Sequence, residues 1–264
     1  MYLNIRGIKS KFDSLLTKIE EIEPTIICLT ETFLLQKEKC EIEGYEVWPS
    51  LVGGLLIAVK NEVKNICTIV EDKKEVGESM WVSIDNSRTK IRLGLIYAPQ
   101  ESRTKKDILK EMYTQISDQL LIAKEKQQRV VLLGDFNCKI GEEIKGNRPD
   151  VTKGGKLLLK LADVNKLCIL NKSDQCFGLW TRTDEKSKSV IDYVLIDQDS
   201  DSAVDKMVID EAKEFAPKSV DSQYSDHNAI LAKFNWFIPE QSNRENRKIV
   251  TKKGWKRIGR GKSF

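Results

Sequence analysis

The sequence predicts an α/β protein, and three observations carry that expectation. The chain has 264 residues, enough for one large domain with a substantial core or for two small ones. Two long stretches repeat apolar side chains at helical spacing. Several runs of five or six residues are instead almost continuously apolar, which reads as strands buried on both faces.

In chain order, Phe12, Leu15, Leu16, Ile19 and Ile22 put one apolar face on a helix from Lys9 to Glu23, and Pro24 stops it. Thr25-Ile-Ile-Cys-Leu-Thr30 is the first buried strand. Gly53 to Val59, Met80 to Ile84 and Ile91 to Ile96 are further strands, spaced like neighbours in a sheet, with Asn86 and Ser87 supplying the turn between the last two. Ile108, Met112, Ile116, Leu120 and Ala123 mark a second long helix, Arg129 to Leu133 a second buried strand, and Lys156 to Asn165 a further helix. Val190 to Ile196, Ala203 to Ile209 and Ala229 to Trp236 close the series as strands. No repeat period interrupts this order, and no linker precedes Pro239. A domain is therefore expected over 1–238, followed by a basic, disordered tail over 239–264.

Composition narrows the class. Hydrophobic content of 40% with 32% charged residues is that of an ordinary soluble protein. No apolar run approaches the ~20 residues that a bilayer span requires, so no membrane partner is expected. Met1 to Asp13 is mostly polar and lacks the order of a signal peptide, which leads us to expect an intracellular protein. Six scattered cysteines without a C-x-x-C pair, and a single histidine, argue against a zinc site and for buried free thiols. The net charge of +4 is uneven: from Glu240 onward nine Lys/Arg face two Glu, while the other 239 residues hold 35 basic and 38 acidic groups. Such a tail is either a solvated end or an arm that attracts phosphates.

Polar residues stand just past several strand ends, where ligand sites collect in sheet folds. They are Glu31, Tyr97, Asp135 and Asn137 in Gly134-Asp-Phe-Asn137, Asp192 inside an apolar strand, and Asp226 with His227 in Tyr224-Ser-Asp-His227. Each has a plainer reading. Gly-Asp-x-Asn makes an ordinary turn, Tyr97 before Ala98-Pro99 suits packing, Asn4 could end a strand, and a lone histidine is more often structural. Asp192 is harder to dismiss, because a buried carboxylate without a partner is costly. Together, converging carboxylates, an amide and one imidazole are what hydrolysis of a phosphodiester with a hard cation requires.

Read in order, Asn4-Ile-Arg-Gly7, Leu29-Thr-Glu-Thr32, Ile96-Tyr-Ala-Pro99, Leu133-Gly-Asp-Phe-Asn137, Ser189-Val-Ile-Asp-Tyr193 and Ser225-Asp-His227 resemble the endonuclease/exonuclease/phosphatase superfamily over about residues 2–236. The wording, including Trp180-Thr-Arg182, is most similar to endonucleases of non-LTR retrotransposons, a branch related to apurinic-site endonucleases. Phosphoinositide phosphatases carry a Trp before Gly-Asp-x-Asn that is absent here. Secreted deoxyribonucleases and sphingomyelinases use a second active-site histidine, also absent. Only Met1-Tyr-Leu3 precede Asn4, so the first strand is expected to be clipped.

The resemblance implies a four-layer α/β sandwich of two packed mixed β-sheets flanked by helices. It implies Mg²⁺, with Mn²⁺ as the alternative ion, held by Glu31 and Asp226 with Asn4 close by. His227 would contact the scissile phosphate or help activate water, and Asp192 would fix its tautomer and raise its pKa. Asp135 would position or deprotonate the attacking water, or protonate the leaving oxygen. Asn137 would orient Asp135 and the phosphate, Tyr97 would contact the phosphate, and Thr181 would touch the DNA strand. The implied activity is nicking of DNA to leave a 3′-hydroxyl, by a nuclear protein acting as a monomer. The alternatives are a phosphoesterase of the same fold acting on RNA or another phosphoester, and a non-catalytic nucleic-acid-binding remnant.

Overall fold

A computed structural model describes residues 1–35, 38–50, 54–70, 78–101, 107–144 and 150–236. The tail expected over 239–264 lies outside them. Strand β1 (Tyr2–Asn4) leads into helix α1 (Phe12–Ile22), then β2 (Ile26–Thr30), β3 (Tyr45–Pro49) and β4 (Leu56–Lys60). The chain then builds β5 (Cys67–Val70), β6 (Glu78–Asp85), β7 (Lys90–Tyr97), helix α2 (Ile108–Glu125), β8 (Arg129–Asp135), helix α3 (Lys153–Val164) and β9 (Leu167–Ile169). Short β10 (Cys176–Phe177) and a hairpin of β11 (Arg182–Thr183) and β12 (Lys188–Ser189) precede β13 (Asp192–Asp197), β14 (Val204–Ile209) and β15 (Ile230–Phe234).

Two mixed sheets result. One runs β10-β14-β15-β1-β2-β4-β3 and the other β5-β6-β7-β8-β13-β9. Their inner faces meet in one apolar layer that includes Tyr2, Cys28, Ile57, Val82, Leu93, Leu133, Val194, Met207 and Ile230. The outer face of the first sheet packs on α1 through Leu3, Ile27 and Leu29 against Phe12, Leu15 and Ile19. That of the second packs on α2 and α3 through Ile96, Val130, Leu132 and Leu195 against Met112, Ile116, Leu158 and Leu161. The fold is thus the α/β sandwich that the sequence led us to expect. Each large apolar side chain buried in these layers contributes roughly 1.5–3 kcal/mol.

Several expectations change in detail. The strand predicted from Gly53 begins outside the described residues, and its described part, β4, is not a sheet neighbour of β6 and β7. It pairs with β2 and β3, because the chain crosses to the other sheet before β5. The first helix starts at Phe12 after a single 3-10 turn over Lys9–Lys11. Its end is as expected: Glu23 turns left-handed (φ 50°), donates its N–H to Ile19 O, and Pro24 follows. Helix α3 starts three residues earlier than predicted, with the Thr152 side chain accepting the Gly155 N–H. Gly154 and Gly155 are poor helix formers, but a Cβ on Gly155 would lie 2.0 Å from Lys139 O, so close packing selects glycine there. Four thiols are buried, whereas Cys168 and Cys176 are half-exposed on the edge strands β9 and β10.

Strand directions position the site. β1 and β2 run parallel, ending together at Asn4 and Thr30, and β7 and β8 run parallel, ending together at Tyr97 and Asp135. β13 runs antiparallel to β8 and starts where it ends, with Asp192 opposite Asp135. All these ends lie at one edge of the sandwich. At the opposite edge an opening of about 680 Å³ lies between the sheets, lined by Met1, Ile26, Ile84, Ile91, Ala232 and Trp236 among others.

Candidate active site

Backbone geometry brings Asn4 and Glu31 together. Beyond the paired ends of β1 and β2, Ile5 N–H bonds Thr30 O and Gly7 N–H bonds Glu31 O, lacing the two loops side by side. Arg6 and Glu31 both adopt positive φ (45° and 51°), so these loops are held out of extended conformation by their surroundings. Asn4 is fully buried, and its Nδ2 donates to Glu31 Oε1 at 2.9 Å and to Asp135 Oδ2 at 3.0 Å. One amide thereby links the first sheet to the second. Its Oδ1 is buried and has no hydrogen-bond partner.

The second sheet supplies the acid at the centre. Gly134 precedes Asp135 with φ 149°, and a Cβ there would sit 1.9 Å from Ile96 O, so only glycine lets β8 lie this close to β7. Asn137 N–H bonds Asp135 Oδ1 at 2.9 Å, and Asn137 Nδ2 donates to Ala98 O at 2.7 Å. The motif is a turn, as its plain reading says, and the turn is what aims the carboxylate.

Asp192 opens β13 rather than interrupting a strand, and it is fully buried. Tyr2 donates its hydroxyl to Asp192 Oδ1 at 2.7 Å, and His227 Nδ1 lies 3.0 and 2.9 Å from its two oxygens. An Nδ1–H donating to Asp192 leaves His227 Nε2 pointing toward Asp135 Oδ2, 3.8 Å away. Asp135, Asp192 and His227 offer ligand atoms all within 4.8 Å of one another, a group that could also hold a metal ion.

The electrostatics follow from burial and crowding. Burial alone would lower the His227 imidazole, but Asp192 first, then Asp135 and Asp226, outweigh it and raise it to about 9. Burial, followed by the Asp192 charge, raises Asp135 to about 7 against the opposing pull of His227, Asn137 and Asn4. Tyr97 is pushed above its ordinary range, by burial first and then by the nearby Glu31 carboxylate. Asp226 behaves oppositely. Burial would raise it, but Arg6 at 2.8 Å from Oδ1 and Arg182 at 2.8 Å from Oδ2, with His227 nearby, hold it below the usual carboxylate range.

The structure therefore gathers Asn4, Glu31, Tyr97, Asp135, Asn137, Asp192, Asp226 and His227 at one end of the sandwich. Thr181 stands apart in kind: it is buried, and its hydroxyl oxygen accepts the N–H groups of Ile191 and Asp192, so it seats Asp192. Sequence reasoning missed Tyr2, Arg6 and Arg182. Tyr2 was detectable by period, since it shares a strand face with Asn4 two residues on. The arginines were not: Arg6 and Arg182 stand inside Asn4-Ile-Arg-Gly7 and Trp180-Thr-Arg182, but nothing in their spacing pairs either with Asp226.

The donor set is mostly oxygen: carboxylates, an amide oxygen and a phenol. That is the chemistry of a hard divalent cation. The orphaned Asn4 Oδ1 beside Glu31 supports the fit, since a buried acceptor without a donor is costly unless a cation meets it.

A model of the endonuclease/exonuclease/phosphatase family matches residues 1–227. No curated protein matches the chain. Among solved structures, the endonuclease domain of TRAS1, a telomere-specific non-LTR retrotransposon, is similar at TM-score 0.62 and 18% identity, with 89% of this chain and 97% of that one covered. A 3′-5′ exonuclease from Neisseria meningitidis is similar at TM-score 0.69 and 16% identity, covering 89% and 98%. An AP endonuclease from Archaeoglobus fulgidus gives 0.65 and 17%, covering 89% and 98%. At these identities the likeness is one of fold.

Proposed function

The chain belongs to the endonuclease/exonuclease/phosphatase family, and from that premise we propose that it is a metal-dependent endonuclease that nicks DNA to leave a 3′-hydroxyl. The observation that carries the reading is the buried contact chain Glu31–Asn4–Asp135 facing Asp192–His227. It sets a raised carboxyl and a cationic imidazole beside an oxygen-rich donor set. DNA as substrate is supported by the likeness to the retrotransposon endonuclease domain and the AP endonuclease.

Glu31 and Asn4 Oδ1 would hold the ion, and Asp226 would join them only in competition with Arg6 and Arg182, which occupy both its oxygens. Mg²⁺ suits such donors, with Mn²⁺ as a substitute. When bound, a divalent cation neutralises charge on the phosphate and lowers the pKa of water. The chain's own groups do the rest. His227, cationic below about pH 9, donates Nε2–H to a phosphate oxygen. Asp192 and Tyr2 hold the ring. Asp135, near pH 7 in its titration, is matched to accept a proton from the attacking water or to return one to the leaving oxygen. Asn137 aims Asp135, and Tyr97 donates toward the phosphate. Action as a monomer in the nucleus follows as a dependent expectation, read by light scattering and by imaging the tagged chain.

Incubating the full chain with supercoiled plasmid and Mg²⁺ tests the proposal. Relaxed circles are expected, lost on chelation and in Asp135→Ala. Plasmid that stays supercoiled at high enzyme concentration sinks it. Parallel RNA and small phosphoester substrates separate the same-fold alternative, because fold does not settle substrate. Cleavage of any kind excludes the non-catalytic remnant.

A further inference from the structure

The segment that delivers Asp226 and His227 has no regular structure between β14 and β15. It hangs on a few bonds. Ser225 Oγ donates to Asn4 O at 2.7 Å, and the Thr183 N–H bonds Asp226 O at 2.7 Å. The backbone also bridges Arg182 at His227, with Asn228 N–H on Thr181 O at 2.7 Å, and a further tie comes from outside these motifs. Lys213 Nζ lies 2.8 Å from Ser225 O and 2.6 Å from His227 O, the two carbonyls that flank Asp226. The turn carrying Lys213 is itself built to hold it. Lys213 sits at φ 60°, and buried Asp210 accepts the N–H groups of Glu214 and Phe215 at 2.9 and 2.7 Å. A half-buried ammonium bonded to two main-chain carbonyls gives up water that a surface lysine would keep. Its donors have no angular fork, so one nitrogen can meet both carbonyls at once.

We propose that Lys213 is a positioning residue of the site: by clamping the Ser225 and His227 carbonyls it holds the imidazole on Asp192 and Asp226 between its arginines. The kinetic part of this inference rests on the nuclease reading, whereas the structural part does not. Lys213 touches neither the phosphate nor the reacting atoms. It acts through the two residues it aligns, and a misplacement of about 1 Å costs about a hundredfold in rate.

His227 is the sole histidine of the chain, so its Nδ1–H gives one unambiguous nitrogen-correlated NMR signal. In the full-length wild type a bonded, slowly exchanging proton is expected. Lys213→Met, which keeps the stem but removes every donor, should speed its exchange at least about tenfold. It should also lower the kcat of nicking about a hundredfold with KM little changed. Lys213→Arg, which keeps a cation and donors, should restore much of both. Should Lys213→Met fail to fold, Lys213→Leu, which also lacks a donor, is read in the same way. A protected Nδ1–H and full kcat in the folded variant, with only the melting temperature lowered, overturn the proposal and leave Lys213 a loop staple. If wild-type protein does not nick DNA, the nuclease reading fails while the exchange measurement still decides the clamp.

Discussion

Asp135, Asp192 and His227 show how three residues with plain individual readings become chemistry by proximity. Asp192 is the main electrostatic partner that makes His227 cationic, so Asp192→Asn is expected to lower the imidazole from about 9, because burial remains while the largest favourable charge is gone and only Asp135 and Asp226 still oppose it. Nitrogen-detected titration of the lone histidine checks this, and nicking should fall by about 10²-fold or more in the same variant. Titration also sets stability. His227 is raised above its unfolded 6.5, so its contribution is complete below that value and lost as pH climbs through about 9. Asp135 is raised from 3.8 to about 7, so the folded state also binds the extra proton between those values and loses that advantage as pH rises. Calorimetry of metal-free protein should therefore show melting temperature falling from pH 6.5 to about 8, below the range where Lys213, lowered to about 8 by burial, adds the opposite slope. A rising profile over that window contradicts the assigned shifts.

Elements matter here mainly through where they stop. The parallel pairs β1–β2 and β7–β8 end at one edge, and β13 begins there in the opposite sense, so five strand ends converge without long loops. Register is the controlling variable, since one residue of slip would turn Asp135 or Asp192 to the opposite face of its sheet. Gly134 sets the register of β8 by lying against Ile96 O. Gly134→Ala is expected to cost at least about 3 kcal/mol through backbone clash and forbidden φ, and to abolish nicking even where the protein still folds. Chemical denaturation and the plasmid assay read the two effects separately. A stability change under about 1 kcal/mol would refute the close approach.

On the scale of the whole molecule, the two large sheets and the three α-helices among the described residues share the work unevenly. The inner apolar layer and the two outer ones stabilise the fold, while the polar groups collect at one end and an apolar-lined opening lies at the other. The basic stretch 239–264 belongs to this scale too. Removing 239–264 takes away nine Lys/Arg and is expected to leave cooperative unfolding and the nicking chemistry intact. It should weaken DNA affinity and flatten its salt dependence by about one unit of slope for each phosphate that the tail neutralises. An unchanged salt slope in the truncated protein would show that the tail does not bind DNA.

The sequence by itself determined the α/β class, both long helices, the buried strands and the order of the motifs. Local periodicity and turn chemistry act between near neighbours and are written in adjacent residues. Edge strand β3 was illegible because half-exposed pairing leaves little apolar pattern, β9 because three residues are too few to show a period, and Asp192's place at a strand start depended on β8 lying opposite. Only the tertiary structure decided that Tyr2 meets Asp192, that Asn4 bridges Glu31 to Asp135, that two arginines hold Asp226 and that Lys213 reaches the His227 loop. These pairs join residues from 14 positions apart (Lys213 and His227) to 220 apart (Arg6 and Asp226, 226 − 6). They exist because burial forces each polar group to find a partner in space, and no local rule of sequence names that partner.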